Sequence, residues 1–247
     1  MPFKYAYVVP IFQGVLYPVT FSFTYIVAAY INKDIPSVFP YISDTGAWSI
    51  ERCIFSFMLG IGSVAMFLTI YIRYRQVKLI LGTHKNNGYR PLLHSLNNFS
   101  FYMGIIIGLS VFLLGCFQVQ PFIVMHLVGA VTACITSGSY LVIQTYLSYK
   151  IYPALGSKNL NIFRLIVVVI LIISTIISGS FGLISLLLFT GDDITQWTES
   201  SGGYLFHLIS AATEWIVVLG VVFYLSLYAA EFKTLVFNKP KVDIINV

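Results

Sequence analysis

Six long apolar stretches, each broken off by a short polar run, set the pattern of this chain. They cover about residues 8–30, 53–72, 97–117, 122–146, 165–189 and 204–230. A helix rising about 1.5 Å per residue needs roughly 20 apolar residues to cross a hydrocarbon core of about 30 Å, and each stretch meets that length. The core offers no water to backbone N–H and C=O groups, so the stretches are expected to be helices, which satisfy those groups internally. The expected fold class is therefore all-α: a polytopic membrane protein, one six-transmembrane-helix bundle over residues 1–247. Pro10 and Pro18 fall inside the first span, and a kink is expected near Pro18. That span is longer than a signal-peptide core and no small-residue cleavage site ends it, so it is read as retained. The fifth span, rich in Ile, Val and Leu, is the purest apolar segment.

Composition supports the same reading. The chain is 58% hydrophobic and only 9% charged, against about 25% charged in an ordinary soluble domain. The net charge of +5 might suggest a nucleic-acid partner in a soluble protein, but here its distribution matters more than its sum. Lys4, Arg73, Arg75, Lys78, Lys85, Arg90, Lys150, Lys158, Arg164, Lys233, Lys239 and Lys241 fall on one side of the alternating spans. Only Lys33 and Arg52 fall on the other, with Asp34, Asp44, Glu51, Asp192, Asp193 and Glu199. By the positive-inside rule both termini are expected in the cytosol, with the 31–52 and 191–203 loops in the lumen or exterior. Arg73, Arg75 and Lys78 then form a basic juxtamembrane cluster. It suffices as a topology signal, and it would also attract anionic lipid headgroups at about 1 kcal/mol per charge. Cys53, Cys116 and Cys134 are too few for a disulfide framework or a Cys-rich metal site. Cys53 and Cys116 share one expected face, where a bridge between them is one alternative to three small apolar packers.

The candidate chemistry is sparse. The loop Phe39–Arg52 is the most polar run in the first quarter of the chain and contains Tyr41, Ser43, Asp44, Thr45, Gly46, Glu51 and Arg52. Its Asp44-Thr45-Gly46 resembles the D-T-G of aspartic proteases, but that chemistry needs two carboxylates sharing a proton, and one copy stands here. Asp44 is expected to cap or turn the loop and Gly46 to supply a positive φ. Glu214 lies deep in the sixth span, where an acid costs about 2.5–3.5 kcal/mol and is a functional candidate by default. His207 stands two turns earlier on the same face, and His126 near the lumenal end of the fourth span. With Gln144 these are the intramembrane polar candidates. Glu214 and the two histidines could form a proton-sensitive cluster; as a plainer alternative, each pins helices together. No metal-ligand spacing, Ser-His-Asp order or phosphate-cradling glycine loop appears, so no cofactor and no metal is expected. Gly104-x-x-x-Gly108 and the small-residue stripes of the fourth and fifth spans suit close helix packing, within the bundle or in a homo-oligomer. Asn98-Phe99-Ser100 fits the glycosylation pattern but falls on the expected cytosolic side. Tyr89-Arg90-Pro91-Leu92 fits a loose tyrosine-based sorting pattern.

Several of these stretches together carry a resemblance. Phe39-Pro40-Tyr41-Ile42-Ser43-Asp44-Thr45-Gly46, then Glu51-Arg52-Cys53, and Arg73-Tyr74-Arg75-Gln76-Val77 ending the second span, are similar to the DRAM family of damage-regulated autophagy modulators. His126 to Ala130, Gly138 to Tyr140, Gln144 to Pro153, Ser210 to Trp215 and Glu231-Phe232 agree with it in order. The resemblance implies six membrane helices, residence in lysosomal or related endomembranes, and promotion of autophagy, in some members linked to cell death. Partners would be membrane lipids and proteins of the autophagy and lysosome machinery, and the role non-enzymatic. The wider superfamily includes proteins of GPI-anchor lipid remodelling and phosphoinositide-kinase recruitment. Intramembrane lipid binding or remodelling through Glu214, His126 and His207 therefore stands as an alternative, and a small proton-coupled carrier as another.

Overall fold

A computed structural model describes residues 4–83 and 90–236. Tyr89 of the sorting pattern, Lys85 of the basic loop, and Lys239 and Lys241 of the tail lie outside the described residues. Seven α-helices occur among the described residues: α1 Val8–Tyr25, α2 Ser49–Thr83, α3 Arg90–Cys116, α4 Val119–Ile151, α5 Lys158–Leu188, α6 Tyr204–Ser226 and the short α7 Tyr228–Phe232. Six helical segments are long and apolar enough to cross a membrane, and no strand occurs among the described residues. The expected all-helical six-span architecture is the one observed.

Helix ends depart from the expected spans in a consistent direction. α2 continues eleven residues past the expected stop at Ile72, through Arg73, Arg75 and Lys78. Arg73 faces the interior there, so its charge does not end the helix. α5 begins at Lys158 instead of Leu165, because Ser157 caps it: its Oγ accepts the Leu160 N–H at 3.2 Å. At 35 residues α2 is about 50 Å long, well beyond a hydrocarbon core of about 30 Å. Its projecting end packs Val77 and Leu81 against Leu93 of α3 and Leu147 and Ile151 of α4. Pro18 sits inside α1, which stays helical to Tyr25 and then widens into a π-helical turn over Ile26–Ile31. Pro121 coincides with a real break, since Gln120 and Phe122 on either side leave helical geometry.

The helices neighbour one another in a closed order, α1 on α2 and α6, α2 on α3, α3 on α4, α4 on α5 and α5 on α6, with the α1–α6 and α4–α5 seams the lightest. Ser226 Oγ donates to the Pro10 carbonyl at 3.1 Å, which brings the start of α1 and the end of α6 to one face of the bundle. That is the termini face. The opposite, loop face carries the 32–48 and 189–203 connections. Apolar residues are abundant on the outside: Phe57, Val64, Leu109, Ile135, Ile173 and Leu187 are exposed. A soluble bundle could not leave so much apolar surface open, whereas hydrocarbon solvates it.

The small residues mark the tight crossings. A Cβ on Gly104 would overlap Ile70 of α2, and one on Gly62 would overlap the Tyr17 ring of α1. Ser178 and Ser210 exchange bonds between α5 and α6, each hydroxyl donating to the other's carbonyl, at 3.1 and 2.7 Å. Gly46 differs from expectation: its φ is not positive, and it is required because a side chain would overlap the Phe55 ring. Cys53, Cys116 and Cys134 are free thiols, so the Cys53–Cys116 bridge does not form.

Replacing Gly104 with Leu should destabilise the bundle by about 1–3 kcal/mol through overpacking against Ile70. Replacing Gly179 with Ala, where an added Cβ meets nothing within 4 Å, should leave stability unchanged. Unfolding in mild detergent micelles measures both.

Candidate functional site

Two polar centres are built inside the bundle, one toward each face. On the termini face, Arg73 of α2 is fully buried and spends its guanidinium on four acceptors. Nε donates to Gln144 Oε1 (3.0 Å), Nη1 to Gln76 Oε1 (2.9 Å) and Glu231 Oε2 (2.9 Å), and Nη2 to Ser148 Oγ (2.8 Å). Arg164 of α5, also fully buried, forks onto the same carboxylate at 3.0 and 2.8 Å. The Tyr228 ring lies against both guanidiniums, at 4.8 and 5.1 Å. Gln144 extends the network to α3 by donating to Ser100 Oγ at 2.9 Å. Five helices, α2, α4, α5, α7 and through Ser100 α3, therefore meet on one carboxylate and two guanidiniums.

This centre corrects the reading of Arg73 as a headgroup-facing charge. Arg73 lies in the interior, and only Arg75 and Lys78 of the expected cluster face outward, on Tyr71 and Tyr74 of their own helix. Gln144 of α4 is buried and belongs to this network. Arg164, Glu231, Gln76, Ser148, Tyr224 and Tyr228 were not anticipated as members of a site. The available signal was spacing: Tyr224, Tyr228 and Glu231 share one helical stripe, as do Gln144 with Ser148 and Arg73 with Gln76.

On the loop face the Phe39–Arg52 segment folds inward as a plug. A short 3-10 turn, Asp44–Gly46, is fully buried. Asp44 Oδ2 accepts the Tyr41 N–H at 3.1 Å, and Glu214 Oε2, reaching from α6, accepts the next one, Ile42 N–H, at 3.0 Å. Thr45 Oγ1 is 2.8 Å from Thr24 Oγ1 of α1. Tyr41 donates its hydroxyl to Ser210 Oγ (2.9 Å), and Trp215 Nε1 donates to the Pro40 carbonyl (2.9 Å). Glu51, buried at the head of α2, accepts from Asn32 Nδ2. Ser43 is half-buried and Arg52 exposed. The second loop closes over the plug: Trp48 Nε1 donates to Thr195 Oγ1 at 3.3 Å, and Asp193 Oδ1 gathers Thr195 and Gln120 Nε2.

His207 and Glu214 both face this plug. The imidazole stacks on Trp197 at 4.3 Å and meets the Tyr41 ring edge-on at 4.8 Å. His126 does not join them: its Nδ1 pairs with the Phe117 carbonyl at 2.7 Å, where α3 ends. The three-member titratable cluster is thus two members with Asp44 and Tyr41 in place of His126. Among the described residues neither Asp44 nor Glu214 has an ion-pair partner. Burial, and next the Glu214 carboxylate, push Asp44 well above the usual carboxylate range. Burial pushes the Tyr41 phenol up to about 12. No grouping of three or more His, Cys, Asp or Glu that could hold a metal occurs among the described residues.

Charge counting ranks substitutions at the first centre. Glu231→Gln leaves two buried guanidiniums facing each other and should cost about 3–5 kcal/mol. Arg73→Gln leaves a balanced Arg164–Glu231 pair and should cost less. Denaturant unfolding of the purified variants measures the order.

The family model for the Frag1/DRAM/Sfk1/Cwh43P N-terminal domain matches residues 5–235. DNA damage-regulated autophagy modulator protein 2 of Rattus norvegicus is 34% identical over 220 residues, covering 87% of this chain and 79% of the relative. DNA damage-regulated autophagy modulator protein 1 of Homo sapiens is 26% identical over 217 residues, 87% and 85% of the two chains. The modulator of macroautophagy TMEM150B of Danio rerio is 26% identical over 238 residues, 95% and 88%. No solved structure matches. With a family match over nearly its whole length, both polar centres inside the matched region, and these relatives, the chain belongs to the Frag1/DRAM/Sfk1/Cwh43P family, among its DRAM members.

Proposed function

We propose that this protein is an integral membrane protein of the lysosome that promotes autophagy without catalysing a reaction. The autophagy role is supported by its relatives, which are named as modulators of autophagy or macroautophagy. The single structural observation behind the lysosomal reading is the loop-face plug. Asp44 and Glu214 hold the successive backbone N–H groups of Tyr41 and Ile42, and neither carboxylate pairs with a Lys or Arg among the described residues. Such a pair is strained while both are ionised and relaxed once one is protonated. The charge distribution along the sequence supports a lumenal position for this face, with both termini in the cytosol, and the plug would then meet an acidic medium in a lysosome. The non-enzymatic reading rests on how the polar groups are used. Arg73, Glu231 and Arg164 are spent on one another, and Asp44 and Glu214 on backbone amides, in structural rather than reactive roles. The protein would act as a scaffold, offering its loop face or the projecting end of α2 to partners of the autophagy machinery.

Two measurements test the reading. Asp44 has a folded pKa above its unfolded value, so its contribution to stability is complete at low pH and is lost as pH rises through the folded value. The melting midpoint of the purified protein should be higher at pH 5 than at pH 7.5, and Asp44→Asn, which keeps the acceptor for the Tyr41 N–H, should flatten that difference. A wild-type midpoint that rises toward neutral pH contradicts the acid-adapted plug.

In cells lacking the protein, re-expression should restore lysosomal turnover of a long-lived cytosolic reporter, with the tagged chain on acidic vesicles. Glu231→Gln should fail to do so in proportion to its lost steady-state level. Full restoration by a chain held in the endoplasmic reticulum would overturn the lysosomal placement.

A further inference from the structure

The seam between α4 and α5 is one of the two lightest in the bundle. Gly62 and Gly104 bring their helices together, but a Cβ on Gly138 of α4, like one on Gly179 of α5, would meet nothing within 4 Å. The missing side chain opens a cavity of about 190 Å³ walled by α4, α5 and α6, with Leu141, Val168, Leu171 and Val217 among its lining residues. A second space of about 400 Å³ adjoins it toward α3, and Gly138 and Ile172 border both. The first is a half-open cleft and the second a shallow depression on the outer surface beside it, both open sideways past Ile135 and Val142, which are 65% and 46% exposed.

Its depth and lining decide what fills it. Gly138, Leu171 and Val217 stand near the middle of their spans, Phe122–Ile151, Lys158–Leu188 and Tyr204–Phe232, so the cleft opens into hydrocarbon and not into water. The few hydroxyls on it are already committed to their own helices. Ser137 donates to Ala133 O (2.6 Å), Ser139 to Ile135 O (2.9 Å) and Thr175 to Leu171 O (2.8 Å). Only their acceptor lone pairs and the Cys134 thiol remain among apolar side chains, so a water, which needs two to four polar partners, is poorly held there. A second helix is also excluded by size, since a helix with its side chains is about 10–12 Å across. A dry apolar cavity of about 150 Å³ takes up a molecule the size of benzene, so this one suits a run of methylenes.

We propose that the α4–α5 cleft is a binding site for one acyl chain of a bilayer phospholipid, inserted sideways from the surrounding membrane. Leaving bulk lipid brings the chain no hydrophobic gain, because lipid tails are as apolar as leucine. Selectivity therefore comes from shape: a chain in the cleft touches protein on several sides, where a chain on the outer surface touches it on one. The site goes beyond the autophagy reading and does not depend on it.

The test uses the full chain in phosphatidylcholine vesicles that carry a trace of phospholipid with a photoactivatable diazirine in the acyl chain. Crosslinked peptides are mapped by mass spectrometry. Labelling should concentrate on residues 134–142 and 168–176 over the exposed Leu183–Leu187 stretch of α5. Gly138→Leu, which fills the open space, should reduce cleft labelling about tenfold, equivalent to about 1.4 kcal/mol, with the melting midpoint kept. Ser139→Phe at the rim gives the same readout should Gly138→Leu fold poorly. Uniform labelling of all outward faces means a surface lipid only and overturns the site. Cleft labelling that survives in either folded variant also overturns it, as does a crosslink joining two copies of the chain through this seam.

Discussion

The bundle depends on a charge imbalance that it contains internally. Two guanidiniums and one carboxylate are buried at the termini face, each from a different helix. Removing such groups from water costs several kcal/mol per ion, and the cost is offset only when every donor finds an acceptor in good geometry. Gln76, Gln144 and Ser148 serve most of that requirement, Arg164 Nε alone of the two guanidiniums' nitrogens pairing with no acceptor among the described residues, and the Tyr228 ring covers what remains of the positive face. The positions of α2, α4, α5 and α7 are therefore fixed jointly. Packing of Leu and Val surfaces alone would tolerate small rotations and slides, because in lipid it lacks a hydrophobic penalty for exposure. The ionic centre does not, since a rotation of any one helix leaves a buried charge unpaired.

The opposite face is organised by a different rule. There the backbone itself is the problem: a turn is buried among helices, and its N–H groups must be satisfied. Two carboxylates, one from the turn and one from α6, supply the acceptors, while Thr24, Ser210 and Trp215 fasten the turn to two helices. The polar character of this loop, which in sequence marks it as a water-facing connection, is directed inward. Its residues are polar because they substitute for solvent, and few of them meet it.

The architecture was legible in the sequence because bilayer thickness imposes a length on each apolar run, and the six runs stand clear of one another. The polar centres were less so. Arg73, Arg75 and Lys78 look alike in sequence, yet α2 turns only the first inward, and no rule of local composition separates a charge that ends a span from one that a distant carboxylate awaits. Arg164 was read as a loop charge for the same reason. Glu214 and His207 were legible as partners from their two-turn spacing, but the third member assigned to them, His126, proved to close the end of α3. Gly46 was marked as special for the wrong cause, since close approach of a ring and a positive φ select glycine equally well.

The ionic centre also has a consequence for how the chain is made. Arg73 and Glu231 are separated by 158 positions, roughly ten to thirty seconds of synthesis at ordinary elongation rates. Arg164 is made within that interval, so two cations precede the carboxylate that neutralises them. Completion of the ionic centre thus waits for α7, the last helix among the described residues, and a chain interrupted before it holds two cations with no counter-charge.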